Sequence, residues 1–222
     1  MNQDSEALHA KPDIAQLLIV SGTRPEIIKL APVYHALQQT HWARPIWLHT
    51  GQHGDMAAQM LDCFHIQPDH VLQRQGSSLL EFATGCRVQL ESVLTDTSCE
   101  AVIVQGDTES AFQGALAGFY LKIPVVHVEA GLRTYNLHRP FPEEGLRQMI
   151  GRIASLHLAP TPRAQQALER ENVAKEKIEL TGNTVVDAQL WASQHHHIHR
   201  RMQGRGHILV TMHRRENWGP DV

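Results

Sequence analysis

The 222-residue chain carries only three cysteines, Cys63, Cys86 and Cys99, and none of them forms a Cys-x-x-Cys pair. An odd, dispersed set fits reduced, mostly buried thiols better than a disulfide frame or a zinc site. Long apolar runs are also missing. None reaches the ~18 residues that cross a bilayer, so no membrane span is expected. The first sixteen residues lack an apolar core and carry Asp4, Glu6 and Asp13, which excludes a signal peptide and points to the cytoplasm. No extended basic run occurs, and 20 Lys and Arg stand against 23 Asp and Glu for a formal charge of -3. Nucleic acid and membrane surfaces are therefore not expected partners.

Two nucleotide-binding signatures are absent as well. The first glycine turn holds neither Gly-x-Gly-x-x-Gly nor Gly-x-x-x-x-Gly-Lys, so neither a dinucleotide cofactor nor ATP hydrolysis is indicated.

What the chain does have is 42% hydrophobic residues, enough for a sizeable core. They fall in short aliphatic runs that alternate with amphipathic stretches, the pattern of an α/β fold with a parallel sheet and helices on both faces. Strands are expected at Leu17–Ser21, Ile46–Thr50, His70–Leu72, Ala101–Gln105, Val125–Glu129, Leu156–Pro160 and Ile178–Thr181. Helices are expected at Pro25–Gln39, Ser78–Leu94, Ser110–Leu121, Glu143–Ala154, Pro162–Glu171 and Val185–Gln194, with Pro32 kinking or restarting the first.

Residues 1–16 read as a polar tail, 17–194 as one domain, 195–206 as a linker and 207–222 as the start of another domain. His207–Thr211 has the character of a new strand, but only eleven residues follow Thr211. A further β-α-β unit needs about 30. Either that strand joins the first sheet or most of a second domain is missing.

Ligands of an open parallel sheet bind beyond the carboxyl ends of the strands, where this chain concentrates its polar motifs. Gly22-Thr23-Arg24-Pro25-Glu26, Gly51-Gln52-His53, Gly106-Asp107-Thr108, Glu129 to Thr134, Gly182-Asn183-Thr184 and His213 to Asn217 each follow a strand. Arg24 at a helix N-terminus suits a phosphate, with an ion pair to Glu26 as the structural alternative. Asp107, Glu129 and Glu143 are placed to converge, and neighbouring carboxylates that push their pKa values apart can divide acid and base work. Such acids also serve as helix caps, Asp107 and Glu143 among them. His213, with Arg214 and Arg215, suits a leaving diphosphate or a solvated surface. The His195-His196-His197-x-His199 tract reads as an adventitious polar stretch rather than a metal site.

In this order, Gly-Thr-Arg-Pro-Glu-x-x-Lys, Thr-Gly-Gln-His, Gly-Asp-Thr, His-Val-Glu-Ala-Gly-Leu-Arg-Thr, Pro-Glu-Glu, Thr-Gly-Asn-Thr and His-Arg-Arg-Glu-Asn resemble the non-hydrolysing UDP-N-acetylglucosamine 2-epimerases. The resemblance runs from Leu17 to about Trp218. It implies two Rossmann-like domains of the glycosyltransferase-B type, no oxidising cofactor or metal, and interconversion of UDP-GlcNAc and UDP-ManNAc. UDP is eliminated to leave a 2-acetamidoglucal and then adds back. It also implies acid-base roles for Asp107, Glu129 and Glu143, leaving-group stabilisation by His213, and substrate binding by Arg24, Lys29 and Arg133. Gln52 and His53 match part of an activator site. A homodimer serving cell-surface polysaccharide synthesis is implied for the full-length protein. Gly54 and Gly145-Leu146 depart from the family pattern, and the chain stops before the loops expected to hold uridine.

Overall fold

The computed structural model describes residues 14–195. Seven parallel strands form one sheet in the order β3-β2-β1-β4-β5-β6-β7. They are β1 (Ala15–Ser21), β2 (Ala43–His49), β3 (His70–Val71), β4 (Ala101–Gln105), β5 (Val125–Val128), β6 (Leu156–Ala159) and β7 (Ile178–Leu180). The crossovers carry α1 (Arg24–Gln38), α2 (Asp55–Cys63), α3 (Leu79–Thr97), α4 (Glu109–Tyr120), α5 (Glu143–Ile153) and α6 (Pro162–Arg170), and α7 (Val185–His195) follows β7. The Rossmann-like arrangement expected from the sequence is the one found.

Strand alternation explains the two cores. Leu18, Val20, Leu48, Val102 and Val104 face Phe82, Leu90, Ala111, Ala115 and Ile150 of α3, α4 and α5. Their neighbours Ile19, Trp47 and Ile103, aligned across β1, β2 and β4, face Ile27, Leu30 and Tyr34 of α1, Leu61 of α2 and Ala188 of α7. Each fully buried aliphatic side chain contributes ~1.5–3 kcal/mol, so both layers resist opening. Gly114 lets α4 lie close on the sheet, because a Cβ there would meet Val104 and Val20 at 3.1–3.2 Å.

Two expectations for the helices need correction. Pro32 does not restart α1, which runs continuously from Arg24 to Gln38. Proline removes one amide donor, but buried Ile27, Leu30, Ala31 and Tyr34 on either side hold the helix to the sheet. Helix α2 was not anticipated. Its N-cap is Gly54 rather than a side-chain cap, and no basic residue marks its last turn. None of the three cysteines is in a disulfide, and Cys86 and Cys99 are buried. Among the described residues no helix is long and apolar enough to cross a membrane.

Candidate active site

Because every strand is parallel, the five described turn motifs open on one rim. The strand order reverses between β1 and β4, and a cleft of about 390 Å³ lies there, lined by Lys29, Gln52, His53, Gln105, Asp107, Glu129 and Glu143 among others. The topology thus brings together six sequence-predicted residues from three strand ends and two helices.

Glu129 follows β5 with a left-handed backbone, φ 62°, which a non-glycine residue adopts at a cost of ~1–3 kcal/mol when the surroundings demand it. Its Oε2 receives Lys29 Nζ at 2.5 Å and Gln105 Nε2, while its Oε1 receives Asn183 Nδ2 at 3.0 Å. Asp107 sits in the Gly106 turn after β4. Burial raises its pKa, Arg147 opposes that from 3.3 Å, and the charges of Glu143 and Glu129 add to the rise. Of the three converging carboxyls, Asp107 is thus the one whose surroundings favour the protonated form. Glu143 opens α5, and its buried Oε2 has no hydrogen-bond partner among the described residues.

Arg147 reaches both Asp107 and Glu144, the latter at 3.2 Å. Glu144 is fully buried, yet the amides of Thr134 and Tyr135, the Gln148 side chain and Arg147 overcome that burial and hold its carboxyl below the usual range. This network locks the loop after β5 against α5. His127 of β5 donates from Nε2 to Gly106 O at 2.7 Å and so steadies the Asp107 turn; burial drives its pKa down to about 3, leaving it neutral.

The β1–α1 turn differs from expectation. Glu26 turns inward to accept the amides of Gly22 and Thr23 at 3.1 and 2.7 Å and the hydroxyl of Thr108 at 2.7 Å. Those amides are consequently unavailable to a phosphate. Glu26 does not pair with Arg24, which is exposed and stands outside the cleft lining. Burial outweighs the donors and raises the Glu26 pKa to about 7. Thr108, not Asp107, caps α4, accepting Ala111 N at 3.1 Å.

Arg133 is also corrected. Its guanidinium is 2% exposed and grips Glu171 at the end of α6 through two bonds of 2.8 and 2.9 Å. It ties the loop after β5 to the end of α6, where Arg152 of α5 also donates to the Glu171 carbonyl, and it does not line the cleft. Gln52 and His53 do line it. Gln52 spends its Oε1 on Ser110 N and Oγ at 3.1 and 2.5 Å, and its backbone carbonyl takes Arg74 Nη1 at 2.7 Å. His213, the proposed linker and the strand expected at His207–Thr211 lie outside the described residues. Of the histidine tract only His195, the last residue of α7, is described.

The family model for UDP-N-acetylglucosamine 2-epimerase matches residues 35–222. The chain belongs to the UDP-N-acetylglucosamine 2-epimerase family. The protein of that name from Bacillus subtilis (strain 168) is 43% identical over 209 residues, covering 92% of this chain and 55% of the relative. Among solved structures, the UDP-GlcNAc 2-epimerase of Neisseria meningitidis bound to UDP-GlcNAc is similar at 41% identity and TM-score 0.79, covering 82% of this chain and 50% of that one. The Methanocaldococcus jannaschii enzyme in complex with UDP-GlcNAc and UDP gives 36% identity and TM-score 0.78 over 83% and 51%. The chain spans just over half the length of the curated relatives it matches.

Several residues of the site were not singled out from sequence: Gln105, His127, Arg147 and Asn183. Gln105 and Asn183 lie within strand-end motifs, so their position was a usable signal. For Arg147 and His127 the signal is three-dimensional, Arg147 reaching Asp107 from α5 and His127 reaching the Gly106 carbonyl from the neighbouring strand β5.

Proposed function

We propose that this chain carries the sugar-facing half of a UDP-N-acetylglucosamine 2-epimerase active site. Convergence of Asp107, Glu129 and Glu143 on one cleft beside Lys29 is the observation that carries the reading. The reaction epimerises C2 of UDP-GlcNAc to give UDP-ManNAc. A base takes the C2 proton, a C1=C2 double bond forms, and the C1–O bond breaks to release UDP. Protonation of C2 from the opposite face and return of the UDP oxygen to C1 complete the exchange.

Two proton-handling groups on opposite faces suffice for that sequence. Glu143, with an unpartnered oxygen, is suited to accept a proton, and Asp107, with its raised pKa, is suited to deliver one. Glu129 anchors Lys29, whose ammonium is suited to stabilise the departing UDP oxygens, a role to which His213 is also assigned by the family resemblance. Arg24 is retained as a contact for the ligand's outer, anionic end; Arg133 is not. The remainder of the relatives' length would form the other wall of the cleft as a second nucleotide-binding domain beginning near residue 207. Gln52 and His53 would then serve an activator site. A homodimer acting in the cytoplasm on the route to cell-surface polysaccharide completes the proposal.

The test uses this chain followed by the part of the Bacillus subtilis relative that it does not cover. Incubated with UDP-GlcNAc in D2O, the chimera should form UDP-ManNAc and place solvent deuterium at C2. Asp107→Asn should lower kcat at least ~100-fold. A folded chimera with neither product nor deuterium exchange would overturn the assignment, and free ManNAc with UDP would make the enzyme a hydrolysing epimerase.

A further inference from the structure

Three elements hold Glu129, and their division of labour is unequal. Lys29 from α1 and Gln105 from β4 both bind Oε2, which fixes the location of one oxygen. Asn183 alone, among the described residues, binds Oε1. One oxygen fixed in space still leaves the carboxyl free to rotate about it; a donor on the second oxygen sets the plane. Asn183 reaches this position from the turn after β7, across the end of β6, 54 residues along the chain from Glu129.

The same carboxamide has a second attachment. Its Oδ1 accepts the amide of Val185 at 3.0 Å, and its backbone carbonyl accepts Val186 N at 3.1 Å, so it also starts α7. Capping does not by itself account for asparagine. Aspartate or serine opens a helix as well, and aspartate adds a favourable charge at that end. Only the carboxamide joins an acceptor to a donor, and an aspartate here would set carboxylate against carboxylate at Glu129 Oε1.

We infer that Asn183 is a positioning residue that sets the plane of the Glu129 carboxylate and ties it to the head of α7. The inference rests on the epimerase reading for its catalytic consequence, not for its geometry. Through these bonds, displacement of the first turn of α7 would rotate Glu129 and shift the Lys29 ammonium that Glu129 holds. A misplacement of ~1 Å at a reacting group costs up to ~100-fold in rate.

The decisive substitution keeps the cap and removes the donor. In this chain with 13C-labelled glutamate, the Glu129 carboxyl resonance is identified by its loss in Glu129→Gln. Asn183→Ser is expected to shift that resonance while the amide-exchange rate of Ala188 stays within about twofold, because serine still caps a helix. Should serine let α7 fray, Asn183→Asp, with a capping carboxylate, carries the same test. An unmoved Glu129 resonance, or a shift seen only where α7 frays, overturns the inference and leaves Asn183 as a cap alone. In the chimera described above, Asn183→Ser should lower kcat ~10–100-fold with KM within about twofold. An unchanged kcat there overturns the inference while leaving the epimerase reading intact. An inactive parent chimera overturns that reading instead, and the resonance then decides the positioning role.

Discussion

At the scale of single residues, the protein's ionisable groups are distributed so that burial works in two opposed directions. His127 and His157 are paired across β5 and β6, each 1% exposed, and burial lowers their pKa values to about 3 and about 4. In the unfolded chain they titrate near 6.5, so the stability they contribute is complete above pH 6.5 and is lost as pH falls through their folded values. Glu26 runs the other way. Its pKa is about 7 in the fold, so its contribution is complete below about 4.5 and is lost as pH rises through 7. Between pH 4.5 and 6.5 two imidazoles outweigh one carboxyl, so stability should rise with pH and level off near pH 7. Urea midpoints between pH 5 and 8.5 measure this. Glu26→Gln keeps an acceptor for Gly22 and Thr23, gives Thr108 an amide donor in place of the carboxyl oxygen it now donates to, and should be more stable than the parent above pH 7 by up to ~3 kcal/mol, with little gain at pH 5. Equal stability of variant and parent at pH 8 would show that ionising Glu26 costs the fold nothing. None of these values was visible in the sequence, because desolvation depends on what is packed over a residue rather than on its neighbours along the chain.

Secondary-structure elements were more legible, and the reason is periodicity. Aliphatic runs such as Val102–Val104 alternate between two faces of a sheet that is covered on both, so they stood out as strands whichever helix lay above them. What escaped was α2, a nine-residue helix with a glycine cap, and the fate of arginines whose partners come from distant elements. Arg133 illustrates the second point: its motif placed it at the catalytic rim, but α6 supplies Glu171 to claim it. Arg133→Ala should therefore destabilise the domain by ~3 kcal/mol, the usual scale when one partner of a buried pair is removed, while leaving ligand affinity within about twofold. Thermal melts and UDP-GlcNAc titrations of the chimera separate the two effects. A large loss of affinity without loss of stability would restore Arg133 to the substrate site. Gly22 gives the complementary case of an element junction. A Cβ there would lie 1.9 Å from Ser110 Oγ and 2.4 Å from Thr50 Oγ1. Gly22→Ala should cost ~1–3 kcal/mol by overpacking and should release Gln52, which Ser110 holds. The Gln52 side-chain amide resonance would report that release.

Considered whole, the described domain is a rigid wall with its chemistry on one edge. The sheet, both helical layers and the ion-pair networks of Glu129 and Glu144 fix the carboxylates without any bound ligand. Such fixed electrostatics favour catalysis, since little reorganisation accompanies charge development. They do not by themselves hold a nucleotide: a small ligand is ordinarily 70–90% buried in its site, and the cleft here is open on one side. The carboxylates also repel an anionic diphosphate, with Lys29 as the nearest balancing charge. This chain alone should therefore bind UDP-GlcNAc at least ~100-fold more weakly than the chimera does, a loss of about 2.7 kcal/mol, while its Asp107, Glu129 and Lys29 resonances shift little between the two proteins. Isothermal titration measures the first quantity and NMR the second. Equal affinity in both proteins would mean that the second wall contributes nothing to binding. Large shifts at Glu129 or Lys29 on completing the chain would mean that the catalytic geometry is assembled by closure rather than preset by the sheet.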